Sequence, residues 1–391
     1  MNYLLFDPID IRENLLPLTY FRPVSEIRSG ILTLKEKWEH FLQTGVSVIT
    51  ESYLQEKFPA IYTDDNIYIN ASLFPDNELV NEISKLKSGE KLYKQNILLA
   101  FRSDKIYRKN LFDAEGIRKN YGKQIDGIFN VYDVFLKNAG QIIKDFNIVT
   151  NGKKSLPLPA SNTVIGKHPV FIEPGAKVEA VIFNTEQAPV YVGKNVVILE
   201  GSMIRGPFAA LEGSVVKMGA KIYGGTTLGP ASKVGGEIKN VVFFGNANKG
   251  HDGYLGDSVI SEWCNLGAGT NNSNLKNNYS NVKLWNYPEK KFIDTGLQFC
   301  GMIMGDHSKC GIDTMFNTGT VVGVSSNIFG GGYQPKFFPS FKWGGQEFTD
   351  YQFDKAMEVA TSVMKRRKIN FDKTEQKIFK QVYKLSKSKE N

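Results

Sequence analysis

The hydrophobic positions of this chain fall into two regimes. From Val192 onward every sixth residue is apolar: Val192, Ile198, Ile204, Ala210, Val216, Ile222, Leu228 and Val234. The same step runs through Tyr254, Ile260 and Leu266, and a further in-phase run takes in Met304, Cys310, Phe316, Val322 and Ile328. A helix repeats about every 3.6 residues and a strand alternates residue by residue, so neither gives this period. Hexapeptide repetition belongs to the parallel β-helix, where short strands wind around a prism and each sixth side chain stacks inward on its equivalent in the next coil. The small residues in "VGKN", "LEGS" and "KMGAK" suit the tight corners, where φ is often positive.

The first 155 residues lack this period. "SGILTLKEKWEHFLQTG" predicts one amphipathic helix, begun near Ser29 and closed by Gly45. "NIYINASLF" and "NILLAF" predict buried strands, and their alternation with helical stretches gives an α/β domain over 1–155. "NGKKSLPLPASN" (151–162) reads as a Pro-containing linker. The β-helix is placed at 160–335, and a basic tail at 346–391 turns helical from about Asp350.

The net charge of +8 changes the picture only once it is located, because residues 355–391 hold eleven Lys/Arg against four Asp/Glu. Such a tail reads as a solvated helix whose Ile378, Phe379, Val382 and Leu385 pack on the rest of the protein, and nucleic acid is not an expected partner. No apolar run is long enough to span a bilayer, and the acidic residues in "MNYLLFDPIDIREN" do not fit a secretory signal. Three cysteines without metal-ligand spacing point to a reduced, cytoplasmic compartment and to no structural metal.

Candidate chemistry gathers where the hexads break. "NKGHDGYLGD" places His251, one of four histidines in the chain, among glycines on a loop leaving a rigid scaffold. A loop imidazole near its ordinary pKa can take a proton from an amine or hydroxyl attacking a thioester. Backbone N–H groups in a turn such as "LGAGT" could meet the developing oxyanion. His307, in "MGDHSKC", falls at a hexad corner and is expected to be exposed.

With "GEIKN", "GHDGYLGD" and "NLGAGTNNSN" in that order, residues 192–275 resemble the acetyltransferase half of the bifunctional N-acetylglucosamine-1-phosphate uridylyltransferase/glucosamine-1-phosphate acetyltransferase family. The resemblance implies a left-handed β-helix, His251 as catalytic base, and acetyl-CoA or another acyl-CoA as the acyl donor. It implies Lys239 and Tyr254 as contacts to an amino-sugar phosphate, Asn265 and Asn274 on the substrate side, and Ala268 facing acetyl-CoA. Lys221 stands where the family has arginine, and Leu275 where it has a tyrosine after Asn274. The family's trimeric assembly, with sites between neighbouring β-helices, implies a homotrimer here.

"LTYFRPVSEIRSGILTLKEKW" resembles the stretch that follows the phosphate-cradling loop of the family's nucleotidyltransferase half, a Rossmann-like α/β domain. Arg22, Arg28 and Lys35 are the implied phosphate contacts. Yet the first glycine of the chain is Gly30, and "INASLFPD" puts Ala71 and Ser72 where the family has Gly-Asp, with Asp76 displaced. A loop without glycine does not easily bring N–H groups against phosphates, and nucleotidyl transfer needs carboxylates for Mg²⁺, which is expected only if this half is active. The reading is a CoA-dependent acyltransferase acting on an amino-sugar phosphate or nucleotide sugar. One alternative is a bifunctional enzyme making UDP-N-acetylglucosamine or a related nucleotide sugar. The other is a non-catalytic trimeric scaffold that binds a nucleotide sugar.

Overall fold

A computed structural model describes residues 1–109 and 111–390. It divides into two compact units, one formed by 1–15, 19–27 and 32–130, the other by 16–18, 28–31 and the chain from 131 onward.

In the first unit, β1 (Asn2–Phe6) lies parallel to β2 (Ser47–Ile49) on one side and to β3 (Asn66–Asn70) on the other. β4 (Glu90–Lys94), β5 (Ile97–Ser103) and β6 (Ile117–Asn120) complete a mixed sheet of order β2-β1-β3-β5-β4-β6, with β5 antiparallel to both β3 and β4. Leu4, Phe6, Tyr68, Leu98 and Phe101 build one side of its core. Three helices accompany the sheet: α1 (Ile9–Asn14), α2 (Leu34–Leu42) and α3 (Asn77–Ser84). α2 starts at Thr33, not near Ser29, because Thr33 and Glu36 form a reciprocal capping box, and it ends at Gln43, whose φ is 54°.

The second unit opens with α4 (Asp133–Leu136) and α5 (Asn138–Thr150). α5 buries Ile142 and Phe146 against Phe171, Tyr191 and Leu211, so the compact division falls near Asn130 while the α/β stretch in sequence runs on to about 155. Residues 28–31 belong to this unit as well. The Gly30 N–H donates to Asn138 Oδ1 at 2.6 Å, and Thr227 Oγ1 donates to the Gly30 carbonyl at 3.0 Å. Gly30 has a φ of 93°, and a Cβ there would lie 2.3 Å from the Asp145 carboxylate. The first glycine of the chain therefore serves a close backbone approach.

The hexads wind a parallel β-solenoid with three stacks of strands. Val192–Ala210–Leu228, Ile198–Val216–Val234 and Ile204–Ile222–Ile238 pair in register down the three sides. All eight residues of the first run and all five of the last lie in one buried cluster. In the middle run the inward residue is Leu255, not Tyr254: Leu255 pairs with Ile238 and is 1% exposed, which turns Tyr254 outward. One coil then makes an excursion, since Leu266 pairs with Cys310, 44 positions on, where Val197 to Val215 takes 18. The excursion carries an antiparallel hairpin, Lys283–Asn286 with Lys291–Asp294, and a bridge between Leu275 and Phe299 joins its two arms.

Two helices follow the solenoid, α6 (Phe353–Arg366) and α7 (Lys373–Glu390). α7 buries Ile378, Phe379 and Val382, with Leu385 half-buried. His307 is at a corner, with φ 62°, but it is buried and not exposed: Trp263 stacks on it at 6.1 Å and Phe379 of α7 meets it edge-on at 5.5 Å. Among the described residues no helix is long and apolar enough to cross a membrane.

Candidate functional site

The strands 237–243 and 254–260 run side by side around one solenoid corner, pairing Glu237 with Tyr254 and Lys239 with Gly256, while Lys221 of the preceding coil pairs with Glu237. At the corner Asn240 and Asp257 both have left-handed backbones, φ 54° and 46°, a conformation that Asn and Asp tolerate better than most residues. Asp257 is 5% exposed and both of its carboxylate oxygens are met: Asn240 Nδ2 donates to one at 2.8 Å and Asn274 Nδ2 to the other at 2.5 Å. The same Asn274 nitrogen donates to the Tyr254 hydroxyl at 2.9 Å. The Tyr254 oxygen is thus an acceptor within the network. Burial, with the nearby Asp257 carboxylate, pushes the Tyr254 phenol up to about 12, so it stays neutral at ordinary pH. A Cβ at Gly256 would sit 2.3 Å from the Tyr254 hydroxyl, so a side chain there would displace the phenol from this network. Lys239 holds its ammonium 4.9 Å from the centre of the Phe299 ring, which the excursion supplies.

His251 is exposed on the loop leading into this strand. The loop's main chain is held on two sides. Lys249 Nζ donates to the His251 carbonyl at 2.6 Å and to the Asp252 carbonyl at 2.7 Å, and the Gly269 N–H also donates to the Asp252 carbonyl at 3.1 Å. Asp252 therefore couples the His251 loop to the "LGAGT" turn. Within that turn the N–H groups of Gly267, Gly269 and Thr270 are spent on carbonyls of the protein, which leaves Ala268 as the turn's free donor among the described residues. Asn265 lies on an adjoining face in register with Asn248 and Lys309, exposed and outside the Tyr254 network.

Of the residues singled out from sequence, the structure joins Tyr254 to Asn274, sets Lys239 on the neighbouring strand against Phe299, places Lys221 one coil below Lys239, and sets His251 and Ala268 on two hydrogen-bonded loops. Asp257, Asn240, Phe299 and Lys249 were not singled out. Asp257 stood in the quoted "GYLGD" and Asn240 beside Lys239, but nothing in a linear sequence says that they share a corner.

The first unit has its own cavity of about 550 Å³ at the carboxyl ends of β1 and β2, the usual ligand position in such sheets. Asp7, Arg12, Thr50, Arg108, Lys109 and Phe112 are among its lining residues. In place of a glycine loop, the stretch after β1 contains a buried ion pair. Asp7 meets Arg12 at 2.8 Å and also accepts from Thr50 Oγ1 at 2.6 Å and from the Val24 N–H at 2.9 Å. Arg22 is buried at 5% exposure, Arg28 donates to the Ile31 carbonyl, and Lys35 faces Glu39 along α2 at 3.9 Å. Ala71 and Ser72 are buried beyond the end of β3, and Asp76 accepts from the Leu79 N–H at 2.8 Å as the N-cap of α3. The described residues contain no cluster of three His, Cys, Asp or Glu able to hold a metal. Asp10, Glu51 and Asp113 also line the cavity, beside an Asp7 already held by Arg12.

Residues 3–154 match the family model described as sugar nucleotidyl transferase. The N-terminal part of the chain is thus a nucleotidyltransferase-like domain. Across both halves it is 26% identical to the bifunctional protein GlmU of Wigglesworthia glossinidia brevipalpis over 301 residues, 73% of this chain and 57% of that protein. A bifunctional sugar-1-phosphate nucleotidylyltransferase/acetyltransferase of Sulfurisphaera tokodaii is 34% identical over 108 residues, 27% of this chain and 26% of its own. Among solved structures, the Arabidopsis UDP-N-acetylglucosamine acyltransferase aligns over 56% of this chain and 80% of its own, with 15% identity and a TM-score of 0.23, too low to bear on function. The chain thus spans little more than half the length of the Wigglesworthia relative. The match takes in the six-stranded sheet and the stretch after β1 that holds the Asp7–Arg12 pair.

Proposed function

We propose that the solenoid transfers an acyl group from acetyl-CoA, or another acyl-CoA, to the amine of an amino-sugar phosphate or nucleotide sugar. The observation that carries this reading is the joining of the His251 loop, through Asp252, to the turn that holds Ala268, with Tyr254 at the start of the strand that this loop enters and its phenol fixed by Asn274. His251 takes the proton from the acceptor amine as the N–C bond forms, and returns it to the sulfur as the C–S bond breaks. The Ala268 N–H stabilises charge on the carbonyl oxygen. Tyr254 and Lys239 hold the sugar phosphate, with Lys221 one coil away and Asn274 fixing the phenol. Asn265, on the adjoining face, belongs to the donor side or to a neighbouring copy in a homotrimer.

A second reading concerns the first unit, where a 550 Å³ cavity lined by Arg108 and Lys109 together with Asp10, Glu51 and Asp113 would take a nucleotide sugar that is bound and not turned over. Arg22, Arg28 and Lys35, which do not line that cavity, are then structural or surface residues.

The deciding experiment follows thiol release from acetyl-CoA with a panel of amino-sugar phosphates. Wild type and the exposed control His168→Ala should react, and His251→Ala should be slower by roughly 10²- to 10⁴-fold. No thiol release from wild type with any acceptor, or equal rates for the two variants, would sink the acyl-transfer reading.

A further inference from the structure

In the solenoid interior one column of inward side chains reads Val216, Val234, Lys249, Leu266 and Cys310. Lys249 is 0% exposed in a position where every other coil puts a small or aliphatic side chain. Hydrophobic stacking does not call for a lysine here, and burying an ammonium is costly unless its donors are met. Two are met, by the carbonyls of His251 and Asp252, the two residues at the tip of the loop just beyond. The His251 carbonyl has only this donor among the described residues, whereas the Asp252 carbonyl is shared with the Gly269 N–H. We propose that Lys249 is a positioning residue: from inside the core its ammonium grips the main chain of the loop and so fixes where the His251 imidazole projects.

This rests on His251 acting as the base, and it carries a prediction that stands without that role. With Lys249 replaced by Met, a side chain of similar length and no charge, the solenoid keeps a filled column but the loop loses its internal anchor. The experiment compares Lys249→Met and Lys249→Gln with wild type in two measurements. Hydrogen exchange of the amides at 250–254 should accelerate at least tenfold in Lys249→Met, with the rest of the solenoid unchanged and Lys249→Gln between the two. With acetyl-CoA and glucosamine 1-phosphate as the probe, kcat should fall roughly 10- to 100-fold while KM for the sugar phosphate stays within about twofold. Unchanged exchange in the loop overturns the proposal, as does loss of the fold in both variants, which would make Lys249 a residue of the core alone. Faster exchange with no thiol release in wild type would confirm the anchor and fail only the acyl-transfer reading. Faster exchange with full activity in the variants would show that the grip does not position the base.

Discussion

Asp257 is a carboxylate buried at a left-handed corner, and it is tolerable there only because Asn240 and Asn274 satisfy both oxygens. Replacing it with Ala removes an acceptor from the Asn240 and Asn274 amides and loosens the side chain that holds Tyr254. Asp257→Ala should lose about 1–3 kcal/mol in urea unfolding, which a neighbouring surface change would not. Lys249 gives the residue scale its pH dependence. Burial pushes its ammonium from 10.5 down to about 8, with Asp252 and Cys310 the facing groups that resist the shift. Below pH 8 folded and unfolded chains both hold the proton. Between about 8 and 10.5 only the unfolded chain holds it, so folding gains stability as pH rises across that window. Relative to Lys249→Met, wild type should gain on the order of 2–3 kcal/mol from pH 8 to 10.5 in denaturant titrations. A flat difference would mean that the ammonium is better solvated than its surroundings imply. Residues of this kind were poorly legible in the sequence. His251 and Tyr254 stood out among glycines, but a lysine beside an asparagine reads as solvent-facing, and only the register of the coil turns Lys249 inward.

At the scale of elements, the period of six was readable because each side of the solenoid repeats one physical demand, an inward side chain of fitting volume. Ile222 meets that demand at 2% exposure, between Ile204 and Ile238 in its column. Ile222→Asp should abolish the cooperative unfolding of the solenoid or lower its midpoint steeply, since an unpaired buried carboxylate costs several kcal/mol. Unchanged circular dichroism melts would contradict the stacking. The helix boundaries were less legible, and α2 shows why. Apolar periodicity runs back to Ser29, but the capping box at Thr33 decides where hydrogen bonding begins, and 28–31 is claimed by the Asn138 and Thr227 contacts instead. His307 was misjudged for a related reason. Its corner position was readable from the hexads, whereas its cover comes from α7, remote in sequence.

For the whole molecule, the nucleotidyltransferase-like domain is legible as a sheet, while Arg22, Arg28 and Lys35 lie outside the lining of its cavity. Asp76 is committed to capping α3, Ala71 and Ser72 carry no charge, and the Asp7–Arg12 pair fills the stretch after β1. No Mg²⁺-dependent pyrophosphate release is expected from UTP or dTTP with sugar 1-phosphates, as a coupled phosphate assay would show. Turnover that disappears in Arg12→Ala would mean that the buried pair has taken over the work of the missing loop.

A parallel solenoid has an unsatisfied rim at its last coil, a ladder of N–H and C=O groups on which another chain could continue the pattern. Here the strand Phe348–Asp350 turns back antiparallel on Lys342–Gly344, and Glu390 of α7 accepts from both the Ser340 N–H and its hydroxyl at 2.6 Å. Phe341 is enclosed by Phe379 and Tyr383 of the same helix. The turned-back strand and α7 therefore cover part of the edge on which templated growth would start. A chain ending at residue 345 should form end-to-end polymers whose sedimentation rises with concentration and whose seeds recruit fresh truncated protein, while the full chain stays discrete. The tail's excess of positive charge would then help to keep neighbouring ends apart.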